Sequence, residues 1–290
     1  MDEDFVNQLA WAGAGVCFAA RSTGLYRSDD GGRTWASGYG RLKLAAPLAT
    51  SAVACSPAFA ADGVVWAAGP GAILRSDDGG RSWAMAALAA PAPYVSALAA
   101  SPAFPADGVV FAGTLEDGVL VSADGGRRWA AWNFGLLDRR ILALAASPAF
   151  AQDQTLWAGV ETGLFRSQNA GRSWREVALP AEAGPVLSLA ALPGRLLAGT
   201  EAGGLLESLD GGQRWRRLAG RSVTGAVNAI AAAADQTLFL LHDAEVLESA
   251  DGGRHWQARP GLPADAVPVA LAAAGRRCLA GLADGRVSVL

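Results

Sequence analysis

A twelve-residue pattern recurs six times along the chain and always ends in tryptophan: GLYRSDDGGRTW, AILRSDDGGRSW, GVLVSADGGRRW, GLFRSQNAGRSW, GLLESLDGGQRW and EVLESADGGRHW. The tryptophans are Trp35, Trp83, Trp129, Trp174, Trp215 and Trp256, spaced 48, 46, 45, 41 and 41 residues apart. A period of this length marks stacked supersecondary units, none of which can bury its apolar face alone. Positions shared by every copy serve to build each copy. Function is therefore to be sought where the copies differ.

One unit is clearest from Tyr94 to Leu136, where YVSALAASPAFPADGVVFAGTLEDGVLVSADGGRRWAAWNFGL reads as four short strands: Val95 to Ala100, Val109 to Gly113, Val119 to Ser122 and Arg128 to Trp132. A Pro/Asp/Gly turn and LEDG separate the first three. In register, the first strands are FVNQLAWA, TSAVACSP, VSALAASP, ILALAASP, VLSLAALP, VNAIAAAA and VPVALAAA, which are rich in alanine. Alanine favours helix, but each run is closed within about eight residues by Ser-Pro, Gly or a charged turn, which is short for a helix. Small side chains suit strands crowded around a common axis. Four-stranded sheets repeated at this period are propeller blades.

After the sixth copy the chain supplies PVALAAAG, RRCLAGLA and GRVSVL, then stops at Leu290 before another box. The prediction is an all-β, seven-bladed β-propeller of four-stranded antiparallel blades, with a seventh blade of three strands. It forms one domain over residues 1–290, with blades at about 5–40, 48–90, 94–136, 140–180, 185–220, 226–260 and 266–290. Phe5 to Trp11 is the first strand, so only Met1 to Asp4 remain to complete blade seven. An open edge there would offer a template for a partner strand.

The core of each copy is Ser-x-Asp-x-Gly-x-x-Trp. Here the chain resembles the Asp-box (BNR) repeat family of propellers, which includes sialidases, sortilin-type receptors and photosystem-assembly proteins of the Ycf48 kind. The resemblance implies the propeller fold and, across such varied members, no single activity. Each position has a structural reason. The glycine supplies positive φ, and the carboxylate of Asp30, Asp78, Asp124, Asp210 or Asp251 accepts hydrogen bonds from the turn's amides. Asn169 keeps that capacity in the fourth copy without the charge. The tryptophan fills space between blades, where truncation to alanine costs about 3–5 kcal/mol.

Composition excludes several classes. Hydrophobic residues make up 51% and charged residues 18%, which gives ample core and argues against disorder. A net charge of −3 gives no general attraction to nucleic acid or anionic lipid. Lys43 is the only lysine, and the abundance of arginine and alanine fits a GC-rich bacterial genome. MDEDFVNQLA lacks a basic region and a long apolar run, so the expectation is a cytoplasmic protein without membrane insertion. Cys17, Cys55 and Cys278 each lie in an apolar strand and read as buried free thiols. No cofactor or metal is expected, because no clustered Cys or His spacing is present.

An active site is harder to find. A sialidase would need an arginine triad, a tyrosine nucleophile with a glutamate partner, and an acid. The tyrosines are Tyr26, in a slot otherwise held by Leu or Phe, and Tyr39 and Tyr94, in inter-blade connections. Loop carboxylates offer a second possibility: Glu116, Asp117, Glu161, Glu201, Asp243, Glu245 and Asp284 lie between second and third strands, on the face of the inter-blade connections. They could line one mouth of the channel and bind a basic partner or serve a carbohydrate-active propeller. His242 is placed in a turn and His255 on a surface strand, without a nucleophile nearby.

Arg27, Arg75 and Arg166 share one strand position, which becomes Val121, Glu207 and Glu248 elsewhere. That alternation predicts an outer surface that is basic on blades one, two and four and acidic on five and six. The segment WNFGLLDRR places Trp132 and Phe134 beside Arg139 and Arg140, the pairing of aromatics and arginine found at contact centres. A non-catalytic scaffold that binds protein partners, at this segment, at the acidic loops or at the open edge of blade seven, is the expected function.

Overall fold

The computed structural model describes residues 4–42, 48–218, 223–233 and 235–290; Lys43 and Met1 to Glu3 lie outside them. The chain forms a seven-bladed propeller. Six sheets have four antiparallel strands in sequence order, and the seventh has three, Pro268–Ala274, Arg277–Leu282 and Val287–Val289. The innermost strands are Val6–Gly13, Ala52–Cys55, Val95–Ala100, Ile141–Ala146, Val186–Leu192, Val227–Ala232 and Pro268–Ala274. Each packs against its neighbour in order, and the seventh packs against the first, which closes the ring. Short side chains let seven strands approach the axis. Hydrogen bonds tie them laterally: Ser96 Oγ donates to Ile141 O at 2.6 Å, Ser188 Oγ to Val227 O at 2.9 Å, and Val53 N to Gln8 Oε1 at 2.9 Å.

The repeated turn is a closed hydrogen-bond unit. In copy two, the Ser76 hydroxyl accepts from Gly80 N at 2.8 Å and donates to Asp78 Oδ1 at 2.8 Å, while the same Oδ1 accepts from Arg81 N and Ser82 N at 2.9 and 2.8 Å. At Gly126, φ is +92° and an added Cβ would lie 2.4 Å from Trp66 Nε1, so glycine is required both by the backbone and by the neighbouring blade. The terminal tryptophans sit at blade junctions: Trp83 meets Tyr39 of blade one edge-on at 5.6 Å, and Trp215 packs with Trp157 of blade four.

Several features differ from the sequence reading. The Pro/Asp/Gly turns after the first strands of blades two, three and four are single helical turns, Phe59–Asp62, Phe104–Asp107 and Phe150–Asp153. Each is locked by a serine, as where Ser101 Oγ donates to Asp107 Oδ2 at 2.6 Å and accepts from Ala103 N. Its phenylalanine packs edge-on against an aromatic of the preceding blade: Phe59 on Phe18, Phe104 on Trp66, Phe150 on Phe111. His242, moreover, is the last residue of the strand Leu238–His242 and not part of a turn.

The third-strand charges are also not on an outer solvated surface. Blades stack face to face, so both faces of these strands are covered. Glu207 is 3% exposed and pairs with Arg195 at 2.6 Å and with Arg216; Glu248 is buried against Arg259 at 2.6 Å. Arg75 reaches Asp77 at 2.5 Å and Gly125 O of the next blade at 2.5 Å, and Arg27 reaches Asp29 at 2.6 Å. The ion pairs lie within single blades, and Arg75 also reaches the next blade at Gly125 O. They do not divide the rim into basic and acidic halves.

Blade seven keeps an unpaired outer edge among the described residues. Its third strand is held to the second, with Leu290 N donating to Cys278 O at 2.8 Å, while Val287 packs with Trp35 of blade one. Asp4 turns to blade one, bonding Arg21 and Thr23.

Candidate interaction site at the connection of blades three and four

The WNFGLLDRR segment runs from blade three to blade four and is fixed at almost every residue. Asn133 accepts from Val119 N through Oδ1 at 2.8 Å and donates through Nδ2 to Asp117 O at 2.6 Å. Phe134 O accepts from Trp174 N at 2.8 Å, and Trp132 O accepts from Trp174 Nε1 at 2.8 Å. Gly135 has φ +79°, and a Cβ there would lie 2.5 Å from Trp174 O. Leu136 is buried in the junction core, its amide donating to Asn133 O. Asp138 then accepts from Arg140 N, Thr162 N and the Thr162 hydroxyl at 2.9–3.0 Å, and Arg139 O accepts from Gly118 N at 3.0 Å.

On this immobilised backbone two large apolar side chains point outward. Phe134 is 81% exposed and Leu137 is 83% exposed. Holding the loop in place removes much of the ordering entropy that a contact surface would otherwise lose on binding. Arg139 and Arg140 are exposed beside them, and Arg140 also meets Glu161 at 3.3 Å. Trp132 is partly buried, with the Arg172 guanidinium 5.2 Å from its ring centroid, and packs against the core between blades three and four. Leu137 was not singled out from sequence. The signal lay in the same segment, but nothing there separates it from the adjacent, buried Leu136.

The loop carboxylates do share the connection face. Several of them have partners close by. Glu116 Oε2 accepts from Tyr94 N at 2.9 Å, Glu161 pairs with Arg140, Asp117 N is bonded to the Thr114 hydroxyl, and Asp243 lies 3.7 Å from His242. Glu201 and Glu245 are exposed, and Asp284 is paired with Arg286 at 2.5 Å. No group of three or more His, Cys, Asp or Glu side chains that could hold a metal occurs among the described residues. His242 Nε2 contacts Thr224 O at 2.7 Å, and His255 contacts its own turn aspartate, Asp251, at 2.6 Å.

Where ionisation is shifted, the cause is structural. Thr34, through its hydroxyl and then its amide, and Ser28 hold the Asp30 carboxyl well below the usual range; His255 does the same for Asp251. Burial opposes this at Asp78, and the Ser82 hydroxyl and amide overcome it. Burial pushes the thiols of Cys17 and Cys278 up to about 12, so neither is a ready nucleophile. Burial likewise raises the Tyr39 hydroxyl to about 12, with Thr50 bonded to it at 2.9 Å.

No family model matches the sequence, and no curated protein does. Solved structures match in fold. YCF48 from Cyanidioschyzon merolae aligns over 99% of this chain and 95% of its own at 16% identity, with a TM-score of 0.71. A structure of YCF48 bound to D1 peptide aligns over 99% of this chain and 91% of its own at 17% identity, with a TM-score of 0.73. The GH74 xyloglucanase from Xanthomonas campestris aligns over 98% of this chain at 22% identity and a TM-score of 0.74; this chain spans about half its length, 51%. A protein solved with a bound peptide and a xyloglucanase thus share this fold, and the chain is similar to both as a β-propeller.

Proposed function

We propose that this chain is a non-catalytic scaffold of the Asp-box propeller kind, working in a bacterial cytoplasm, that binds a protein partner on its connection face. The observation that carries this reading is the outward projection of Phe134 and Leu137 from a backbone fixed on both sides. Burying two such side chains contributes about 1.5–3 kcal/mol each, and the rigid loop limits the entropic loss on association. Arg139 and Arg140 at the margin supply the charge that orients a partner. A peptide-bound neighbour of the same fold supports a protein ligand, and three free cysteines agree with a reducing compartment.

The carbohydrate-active alternative would draw on Glu116, Glu161 and Glu201. Glu116 is committed to a backbone amide and Glu161 to an arginine, which weighs against a pair of carboxylates free to act across a cleft. The test is affinity capture from the native host with the wild-type chain and a Phe134→Asp/Leu137→Asp variant of equal thermal stability. A partner retained by the first and lost by the second is expected. Glycan hydrolysis that disappears in a folded Glu116→Gln/Glu161→Gln/Glu201→Gln variant would overturn the proposal.

A further inference from the structure

The junction of blades four and five combines an unanswered pair of like charges with two cavities that meet at one side chain. At the third-strand position discussed above, each of the six four-stranded blades carries a residue directly opposite one on the outer strand. The pairs are Arg27 with Ala36, Arg75 with Ala84, Val121 with Ala130, Glu207 with Arg216, and Glu248 with Gln257. In these five blades, a charge at this position is answered by a counter-charge: Asp29, Asp77, Arg195 with Arg216, and Arg259. In blade four the pair is Arg166 with Arg175. The residue two positions after Arg166 is Gln168, where Arg27 and Arg75 have aspartate. Like charges directly opposite on adjacent strands are destabilising, and here neither guanidinium has an ion-pair or hydrogen-bond partner among the described residues. The Nε of Arg166 is buried without a partner, as is that of Arg27 at the equivalent position, so what sets Arg166 apart is the lack of a carboxylate on its guanidinium.

The second feature is a short connection, since helical turns occur only in blades two, three and four among the described residues. Blade five passes from first to second strand through Leu192, Pro193 and Gly194, without the phenylalanine that covers the aromatic of the preceding blade in blades two to four. Beside Trp157 this leaves a cavity of about 590 Å³. A second cavity of about 510 Å³ lies along the outer strand and is lined by Arg166, Arg175, Gln168 and Gln213. Arg166 borders both. The carboxylates at their margins are otherwise engaged: Asp153 with Ser147 and Thr155, Asp210 with Ser208 and its turn amides. Glu176, which also borders the outer cavity, stands opposite Phe165 on the strand register and so alternates away from the arginine pair.

We propose that this junction binds a carboxylate-bearing ligand between the guanidinium groups of Arg166 and Arg175. The other blades show the chemistry this position accepts. Arg75 places Nε and Nη2 on one Asp77 carboxylate oxygen at 2.9 and 2.5 Å, and an incoming carboxylate would take the place that Gln168 leaves without charge. Gln168 and Gln213 add amide groups suited to the polar remainder of the ligand. The site is separate from the Phe134 patch and does not depend on the scaffold reading.

The test is calorimetric titration at low ionic strength with two probes, free glutarate and a capped tetraglutamate peptide. Saturable one-to-one binding of at least one is expected. Glutarate binding as tightly as the peptide assigns the site to a free acid; binding of the peptide alone assigns it to an acidic segment. Gln168→Asp supplies the internal partner seen in blades one and two. It is expected to weaken binding at least tenfold while the melting temperature holds or rises, and Arg175→Gln is expected to weaken it similarly. Phe134→Asp/Leu137→Asp should leave it unchanged. Absence of binding by both probes, or binding indifferent to Gln168→Asp and Arg175→Gln, would overturn the proposal.

Discussion

Substituting Asp124 in the third repeated turn separates a structural carboxylate from a chemical one. Through Oδ1 this side chain accepts from Arg127 N at 3.0 Å, Arg128 N at 2.9 Å and the Ser122 hydroxyl at 2.8 Å. Asp124→Ala removes all three. A net value of about 0.5–1.5 kcal/mol per bond, taken low because the two amides are exposed and water replaces the acceptor, gives a loss of about 2 kcal/mol. For a chain of this size that lowers the melting temperature by about 4–8 °C. The fourth copy shows what asparagine does instead: Asn169 Oδ1 accepts from Ser173 N and the Ser167 hydroxyl at 2.9 Å, and Nδ2 donates to the Ser173 hydroxyl at 2.8 Å. Asp124→Asn should therefore lose less than about 1 kcal/mol. Calorimetry and urea unfolding followed by tryptophan fluorescence measure both. An asparagine variant as damaged as the alanine one would show that the charge itself is needed, and a neutral alanine variant would show that the turn is held by something else.

Other expectations follow from the same geometry. Glu207→Ala leaves Arg195 without its carboxylate in a largely buried setting, so denaturant unfolding should show a loss of about 3–5 kcal/mol. Gly126→Ala forces a Cβ against buried Trp66 at a positive φ and should cost about 1–3 kcal/mol in the same assay. The turn aspartates have folded pKa values below their unfolded ones, so their contribution is complete above about pH 4 and is lost as the pH falls further; a urea midpoint unchanged between pH 5 and pH 2.5 would contradict this. Cys17 and Cys278 are fully buried with raised thiol pKa values and should resist a thiol reagent at pH 8 until the protein unfolds.

Much of the architecture could be read from the chain because its signals repeat. Six copies of one turn set the period, and alanine-rich first strands placed the axis. The helical turns escaped notice because four residues carry no helical periodicity; SPAFAAD, SPAFPAD and SPAFAQD were visible only as turn residues. Arg75 and Glu207 were misplaced for a different reason. Strand alternation tells which residues share a face, but not that a neighbouring blade covers it. The site was legible as a segment and not as a surface: Leu136 and Leu137 are adjacent and identical, yet the first is buried and the second is 83% exposed.

The most direct test of the scaffold reading is the affinity of the captured partner for the purified chain, measured by calorimetry before and after Phe134→Asp/Leu137→Asp. Loss of two buried apolar contacts and the introduction of two carboxylates should weaken binding by about a hundredfold or more, with folding intact. An unchanged dissociation constant would contradict it and move the contact surface away from the connection of blades three and four.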